Sequence, residues 1–180
     1  MDREYIEIYN ETGEPTGKKL LKSEIHSKGI IHSTIHLWIF CDRNKILIQK
    51  RSKNKTINPG TWDVSVAGHI KYGEEIVDAV IRESKEETGV TIIKNKLKKI
   101  GVFFNEEFYD NIIDREFHHT YLYKTSTNLI DLEFKNNEVE KIKFISFDNM
   151  SKLINNSAKY FIGSNKNYYN CVLKEIDGFI

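Results

Sequence analysis

Glu83, Glu86 and Glu87 crowd the second half of one short stretch of the chain, and their spacing is the first chemical signal in the sequence. From Glu74 to Thr88 there is no Pro or Gly, and the apolar residues Ile76, Val77, Val80 and Ile81 recur at helical intervals, so a helix is expected there. Gly73 suits its N-cap, Glu74 and Glu75 its first turn, and Gly89 a left-handed C-cap. At about 100° per residue the carboxylates then share one face. Positions i, i+3 and i+4 bring like charges together, and the negative end of the helix dipole adds to the repulsion. Only Arg82 and Lys85 lie nearby to offset it. A local rule broken this openly points to function, and a divalent cation would resolve it. All-oxygen donors suit Mg²⁺ or Mn²⁺ rather than Zn²⁺, and ions held this way bind and neutralise phosphate oxygens. For an ExxEE pattern alone, a solvated acidic face is the plainer explanation.

The pattern is longer than that. Gly68, Glu74, Arg82-Glu83, Glu86-Glu87 and Gly89 stand at fixed intervals in GHIKYGEEIVDAVIRESKEETGV, which resembles the Nudix box, GX5EX7REUXEEXGU with U a bulky apolar residue. Chance agreement is on the order of 10⁻⁸ per placement for ordinary composition. One position departs: Ser84 stands at the first U, on the Val77/Val80/Ile81 side of the helix, where a polar residue is expected to loosen packing without touching the carboxylates. The flanks ILIQKRSKNKTINPGTWDVSVAGHI and EYIEIYNETGEPTG are similar to the Nudix branch nearest isopentenyl diphosphate isomerases.

That resemblance implies hydrolysis of a diphosphate linkage in a nucleoside diphosphate derivative, with Mg²⁺ or Mn²⁺ as cofactor. It implies metal ligands in Glu83, Glu86, Glu87 and the Gly68 carbonyl, and places Glu83, Glu86 and Arg82 in the catalytic machinery. Arg82 can pair with Glu86, Asp78 or Glu74, the last being the family's usual arrangement. The general base is open: Glu86 within the box, or Glu106, Glu107, Glu116 or Glu138 outside it. Arg51 and His69 are the expected substrate contacts.

Histidines carry a second possibility. In the isomerases, histidines in the segments corresponding to His26, His32 and His36 and to His69 bind a metal with acidic ligands. For His26, His32 and His69, structural and substrate-side roles stand level. His36, inside an apolar run, reads as a packed core residue, and His118 and His119 must point to opposite faces of one strand. Against isomerase chemistry, Ala67 occupies the position of the cysteine that takes part in the isomerases' proton transfer, and Cys41 belongs to a different strand. A non-catalytic binding module, which typically loses box carboxylates, fits a complete box least well.

The elements that must position these residues follow from the hydrophobic pattern. Tyr5–Asn10 and Lys18–Lys22 read as a hairpin around the turn Glu11–Gly17, with a short helical turn at Ser23–His26. Thr34–Cys41 and Ile46–Arg51 are strands, Ser52–Gly60 a polar loop, and Trp62–Val66 a short strand leading to Gly68. Trp62 is expected to pack in the core. Leu97–Phe104, Glu116–Lys124 and Val139–Phe147 continue the sheet. Asn105–Asp114 reads as a mobile acidic loop and Thr125–Asn137 as a second loop. Helices follow at Asp148–Ile154 and within Asn165–Ile180, the latter carrying Tyr168, Tyr169, Val172, Leu173 and Ile176. The fold class is α+β, an α/β/α sandwich with a mixed curved sheet. One domain is expected over 1–180, with the hairpin in 1–30, the box at 68–90 and C-terminal helices at 148–180. A net charge of +1 gives no pull on nucleic acid or membrane. Cys41 and Cys171 lie far apart, indicating neither disulfide framework nor zinc ribbon. The charged N-terminus lacks a signal-like apolar run, so a cytoplasmic protein acting on a small molecule is expected. A homodimer is compatible.

Overall fold

The computed structural model describes residues 4–42, 44–126, 137–156 and 165–179. Its centre is β3, His32–Cys41, whose run HSTIHLWIFC is buried along nearly its whole length. β-branched and aromatic side chains on both faces suit a strand covered on both sides. β3 pairs with β1 (Tyr5–Tyr9), β4 (Lys45–Arg51) and β6 (Val66–His69) in antiparallel fashion. It also pairs in parallel with β8, Ile112–Lys124. β2 (Pro15–Leu21), β5 (Trp62–Asp63), β7 (Lys98–Tyr109) and β9 (Val139–Ser146) complete a nine-stranded mixed sheet.

Helices cover both faces, and the parity of β3 assigns them. Ile35, Leu37 and Ile39, with Leu47 and Val66, pack on Ala79 and Val80 of α2, Ile76–Thr88. Trp38 and Phe40, with Ile46, Ile48 and Leu122, pack on α3 (Phe147–Asn156) and α4 (Lys166–Asp177) through Met150, Ile154, Val172, Leu173 and Ile176. Full burial of each such aliphatic side chain contributes roughly 1.5–3 kcal/mol. On this second face β3 changes character along its length: His32, Thr34 and His36 precede Trp38 and Phe40. The apolar end carries α4, and the polar end opens as a cavity of about 1060 Å³. Trp62 packs against this core, with the Lys143 ammonium over its ring. Among the described residues no helix is long and apolar enough to cross a membrane.

Several boundaries differ from the sequence reading. The stretch from Trp62 divides into β5 and β6, so Gly68 lies inside a strand. Helix α2 begins at Ile76 with extended Glu75 as its N-cap. Gly73 instead turns the loop at φ 78°, because Glu74 is held in that loop by bonds to Arg82 and the Lys71 N–H. The acidic stretch Asn105–Asp114 is not a loop. It forms the end of β7, a two-residue turn and the start of β8, with Glu107 opposite Asp114 and Phe108 opposite Ile113. The short N-terminal helical turn is α1, Lys22–Lys28, closed by left-handed Gly29. Of the expected loop Thr125–Asn137, residues 127–136 lie outside the described residues. Ser84 is fully buried but not unsatisfied: its hydroxyl donates to the Val90 carbonyl at 3.0 Å. The polar residue thus fastens the chain leaving α2, where loosened packing was expected.

Candidate active site

Helix α2 puts Glu83 and Glu87 on its buried side, one turn apart, and leaves Glu86 exposed at the cavity rim. Glu87 Oε2 accepts hydrogen bonds from Gln49 Nε2 (2.8 Å) and from the Ala67 N–H (3.0 Å). Glu83 lies against Gly68 so closely that a Cβ there would fall 2.2 Å from the Glu83 carboxyl carbon. Only a residue without a side chain fits that approach. Arg82 ties the loop to the helix. Its Nε and Nη2 meet Glu74 at 2.7 and 2.8 Å, Nη2 donates to the His69 carbonyl at 3.0 Å, and Nη1 meets Glu83 at 2.6 Å and Glu86 at 3.3 Å. Burial and the neighbouring Glu83 charge push the Glu87 carboxyl up to about 8. Burial also raises Glu83, although Arg82 opposes it. Two carboxylates held this close in low dielectric favour either a proton or a cation between them.

A second group of donors gathers beside the same cavity. His26 from α1, His32 from β3, His69 from β6 and Glu116 from β8 offer ligand atoms within 4.8 Å of one another. Sheet register makes the cluster: His32 lies opposite Glu116, and Thr34 stands between His69 and His118. His32 and His69 stack with centroids 5.2 Å apart, and Glu116 Oε1 is 3.2 Å from His32 Nε2 and 3.7 Å from His69 Nε2. Burial lowers His26 to about 4 and keeps His69 neutral. For His32, burial works downward but Glu116 outweighs it and the net shift is upward. Burial raises Glu116, yet the adjoining His32 and the surrounding histidines hold it well below the usual carboxylate range. Neutral His26 and His69 beside an ionised Glu116 are in the protonation states that metal ligation requires, and His32 would release its proton on binding. Buried His32 Nε2 and Asp114 Oδ1 lack an aligned hydrogen-bond partner among the described residues, and a bound cation would supply one. The donor set fits a divalent ion.

The model for the NUDIX domain matches residues 31–162. The chain belongs to the Nudix hydrolase family. It is accordingly an enzyme acting on pyrophosphate bonds. An uncharacterized Nudix hydrolase of Clostridium acetobutylicum is 37% identical over 159 residues, covering 87% of this chain and 76% of the relative. Isopentenyl-diphosphate Delta-isomerase 2 of Photorhabdus laumondii is 30% identical over 142 residues, covering 78% and 76%. Among solved structures, a Deinococcus radiodurans protein superposes with a TM-score of 0.66 at 18% identity, covering 86% of this chain and 91% of that one. The NUDIX domain of Shewanella oneidensis NrtR, solved with ADP ribose, superposes with a TM-score of 0.55 at 18% identity, covering 67% and 75%. Both share the fold.

In this Nudix hydrolase the expected substrate contacts are differently occupied. Arg51 lines the cavity, but its guanidinium already meets Asp63 Oδ2 at 3.1 Å and the Ile57 carbonyl at 3.1 and 3.2 Å. His69 belongs to the histidine cluster, 3.2 Å from His26 Nε2. Of the candidate bases, Glu107, Glu116 and Glu138 line the cavity. Glu106 lies on the opposite face of β7, paired with Arg115 at 2.7 Å, so it is removed from the set. His118 faces the cavity, and His119 is buried on the other side. Sequence reasoning missed Asp114, 3.6 Å from His26 and pushed up to about 8 by burial and the Glu116 charge. Its alternation with Glu116 and His118 along one strand was the available signal. His36 is buried and hydrogen-bonded as expected, yet it also lines the cavity.

Proposed function

We propose that the chain hydrolyses a diphosphate linkage in a nucleoside diphosphate derivative, with Mg²⁺ or Mn²⁺ held by Glu83, Glu86, Glu87 and the Gly68 carbonyl. The observation that carries this reading is buried Glu83 packed against Gly68 at the cavity wall, with buried Glu87 one helical turn on and bonded to the Ala67 N–H. Bound there, the cation would offset diphosphate charge and acidify an attacking water. Arg82 neutralises Glu83 on one side and anchors the Gly68–Glu74 loop, so it supports the carboxylates from outside the ligand set. Exposed Glu86 at the rim would accept a proton from the attacking water. His26, His32, His69 and Glu116 would hold a second cation, and an imidazole-rich set suits Mn²⁺ or Zn²⁺ better than Mg²⁺. Arg51 serves by shaping the loop at Ile57 rather than by an unengaged guanidinium.

A second reading, isomerisation of isopentenyl diphosphate, is favoured by the histidine–Glu116 cluster and by the Photorhabdus relative. It is opposed by Ala67, whose methyl group neither gives nor takes the proton that reaction moves on carbon. One experiment separates them. Purified protein with Mn²⁺ is assayed against nucleoside diphosphate sugars, dinucleotide cofactors, nucleoside triphosphates and isopentenyl diphosphate. Metal-dependent release of nucleoside monophosphate or phosphate, abolished by Glu87→Gln, is expected. Conversion of isopentenyl to dimethylallyl diphosphate that survives Glu87→Gln but not Glu116→Gln would overturn the hydrolase reading.

A further inference from the structure

We propose that His36, His118 and Tyr168 form a subsite that takes a hydroxylated, sugar-like group attached to the diphosphate and turns away a hydrocarbon of the same size. The substrate class rests on the hydrolase reading, but the observations are separate from those that carry it. Along the cavity face of β3, the position after the histidine cluster sets Thr34 beside His118, and the next sets His36 between Ala67 and Thr120. Apolar side chains would be expected at these positions if the wall met a hydrocarbon, since Trp38 and Phe40 continue the same face as core. Instead the His36 and His118 rings stack, with centroids 4.0 Å apart and planes 14° apart, and both line the cavity. Thr34 Oγ1 lies 2.8 Å from His118 Nδ1.

The network around Tyr168 orients the His36 ring. Trp38 Nε1 donates to the Tyr168 oxygen at 2.9 Å, and that oxygen is 2.8 Å from His36 Nδ1. An indole N–H can only donate, so the phenol oxygen accepts from Trp38, and it meets His36 Nδ1 as donor or as acceptor according to the His36 tautomer. In either tautomer His36 Nε2 is left with one hydrogen bond to make, as donor or as acceptor. No described residue hydrogen-bonds Nε2 of His36 or of His118. The small Ala67 beside His36 leaves the floor open. A hydroxyl group, both donor and acceptor, can satisfy such a wall. A prenyl chain would leave these groups desolvated and unpaired, the situation in which hydrogen-bonding sites discriminate most strongly.

Two diphosphates with equal carbon count test this: ribose 5-diphosphate and isopentenyl diphosphate, titrated calorimetrically in Mg²⁺ with phosphate release monitored. Wild type is expected to bind the ribose compound at least about tenfold tighter. His36→Phe keeps the ring and the stack, and should erase that preference by weakening ribose binding about tenfold while leaving isopentenyl binding unchanged or tighter. His36→Gln, which restores an N–H donor, should recover part of it. Equal binding of both probes to wild type, tighter binding of the isopentenyl compound, or binding of neither overturns the proposal. So does a His36→Phe variant that weakens both alike, as a purely structural role would. The wild-type comparison decides even if a variant fails to fold. A ribose preference without hydrolysis of any nucleoside diphosphate compound would sink the hydrolase reading and leave this subsite standing.

Discussion

Gly68 has the most constrained role of any single residue in the site. A Cβ there would sit 2.2 Å from Glu83 Cδ and 2.4 Å from its Oε1, so Gly68→Ala must push the carboxylate aside. Overpacking of this kind costs about 1–3 kcal/mol of stability, while misplacement of a catalytic group by about 1 Å costs on the order of 10²-fold in rate. Turnover should therefore fall by about 100-fold or more, with a modest loss in melting temperature. Steady-state kinetics beside a thermal melt checks the split. Arg82→Ala is expected to lose less turnover than Glu83→Gln, since Arg82 supports the carboxylates from outside the ligand set. An equal loss would mean that Arg82 contacts the phosphate.

Among the elements, α2 was the most legible and the β7–β8 hairpin the least. The box helix announced itself because its apolar face and its conflict of charges sit on one contiguous segment. Residues 105–114 did not, because polar and apolar side chains are mixed on both faces of the hairpin. Asn105, Glu107 and Tyr109 look into the cavity, while Glu106 and strongly exposed Phe108 look outward. Strand alternation needs one apolar face to be read, and a strand that lines a polar cavity has none. The histidine cluster was hidden for a related reason: its donors come from α1, β3, β6 and β8, and only pairing brings them together. The hairpin makes a direct prediction about facing. Glu106→Gln should stay within about twofold of wild-type turnover, as an exposed substitution does. Glu107→Gln, whose carboxylate accepts the Tyr109 hydroxyl inside the cavity, should lower it clearly. Parallel assays of the two variants decide whether the face assignment holds.

For the whole molecule, the two buried carboxylates of α2 couple stability to pH. Glu87 is pushed up to about 8 from an ordinary 4.5, so between those values the folded chain holds a proton that the unfolded chain has released. Below about pH 6.5 the buried histidines, lowered to about 4 at His26 and His119 and about 3 at His118, act the other way, so stability of the metal-free protein falls as pH rises from about 6.5 to about 8. Melts in chelator should drop by several degrees across that window, on the order expected for a few kcal/mol in a chain of this size. Mn²⁺ should raise the melt most at the alkaline end and flatten the slope, and Glu87→Gln should flatten it without metal. A slope that Mn²⁺ leaves untouched would count against the cation site.

The parallel pairing of β3 with β8 has a consequence for how the chain would acquire the cation proposed for the histidine cluster. His32 and Glu116 become neighbours only when segments 84 residues apart in sequence come into register, and such distant contacts close slowly because chain entropy is lost before they form. His26 and His32 alone offer a newly made chain a loose two-imidazole chelate. Full coordination has to await closure of the sheet, so metal uptake should trail the recovery of helix signal during refolding. The ion would then act as a latch on a finished topology, slowing its opening more than it speeds its assembly.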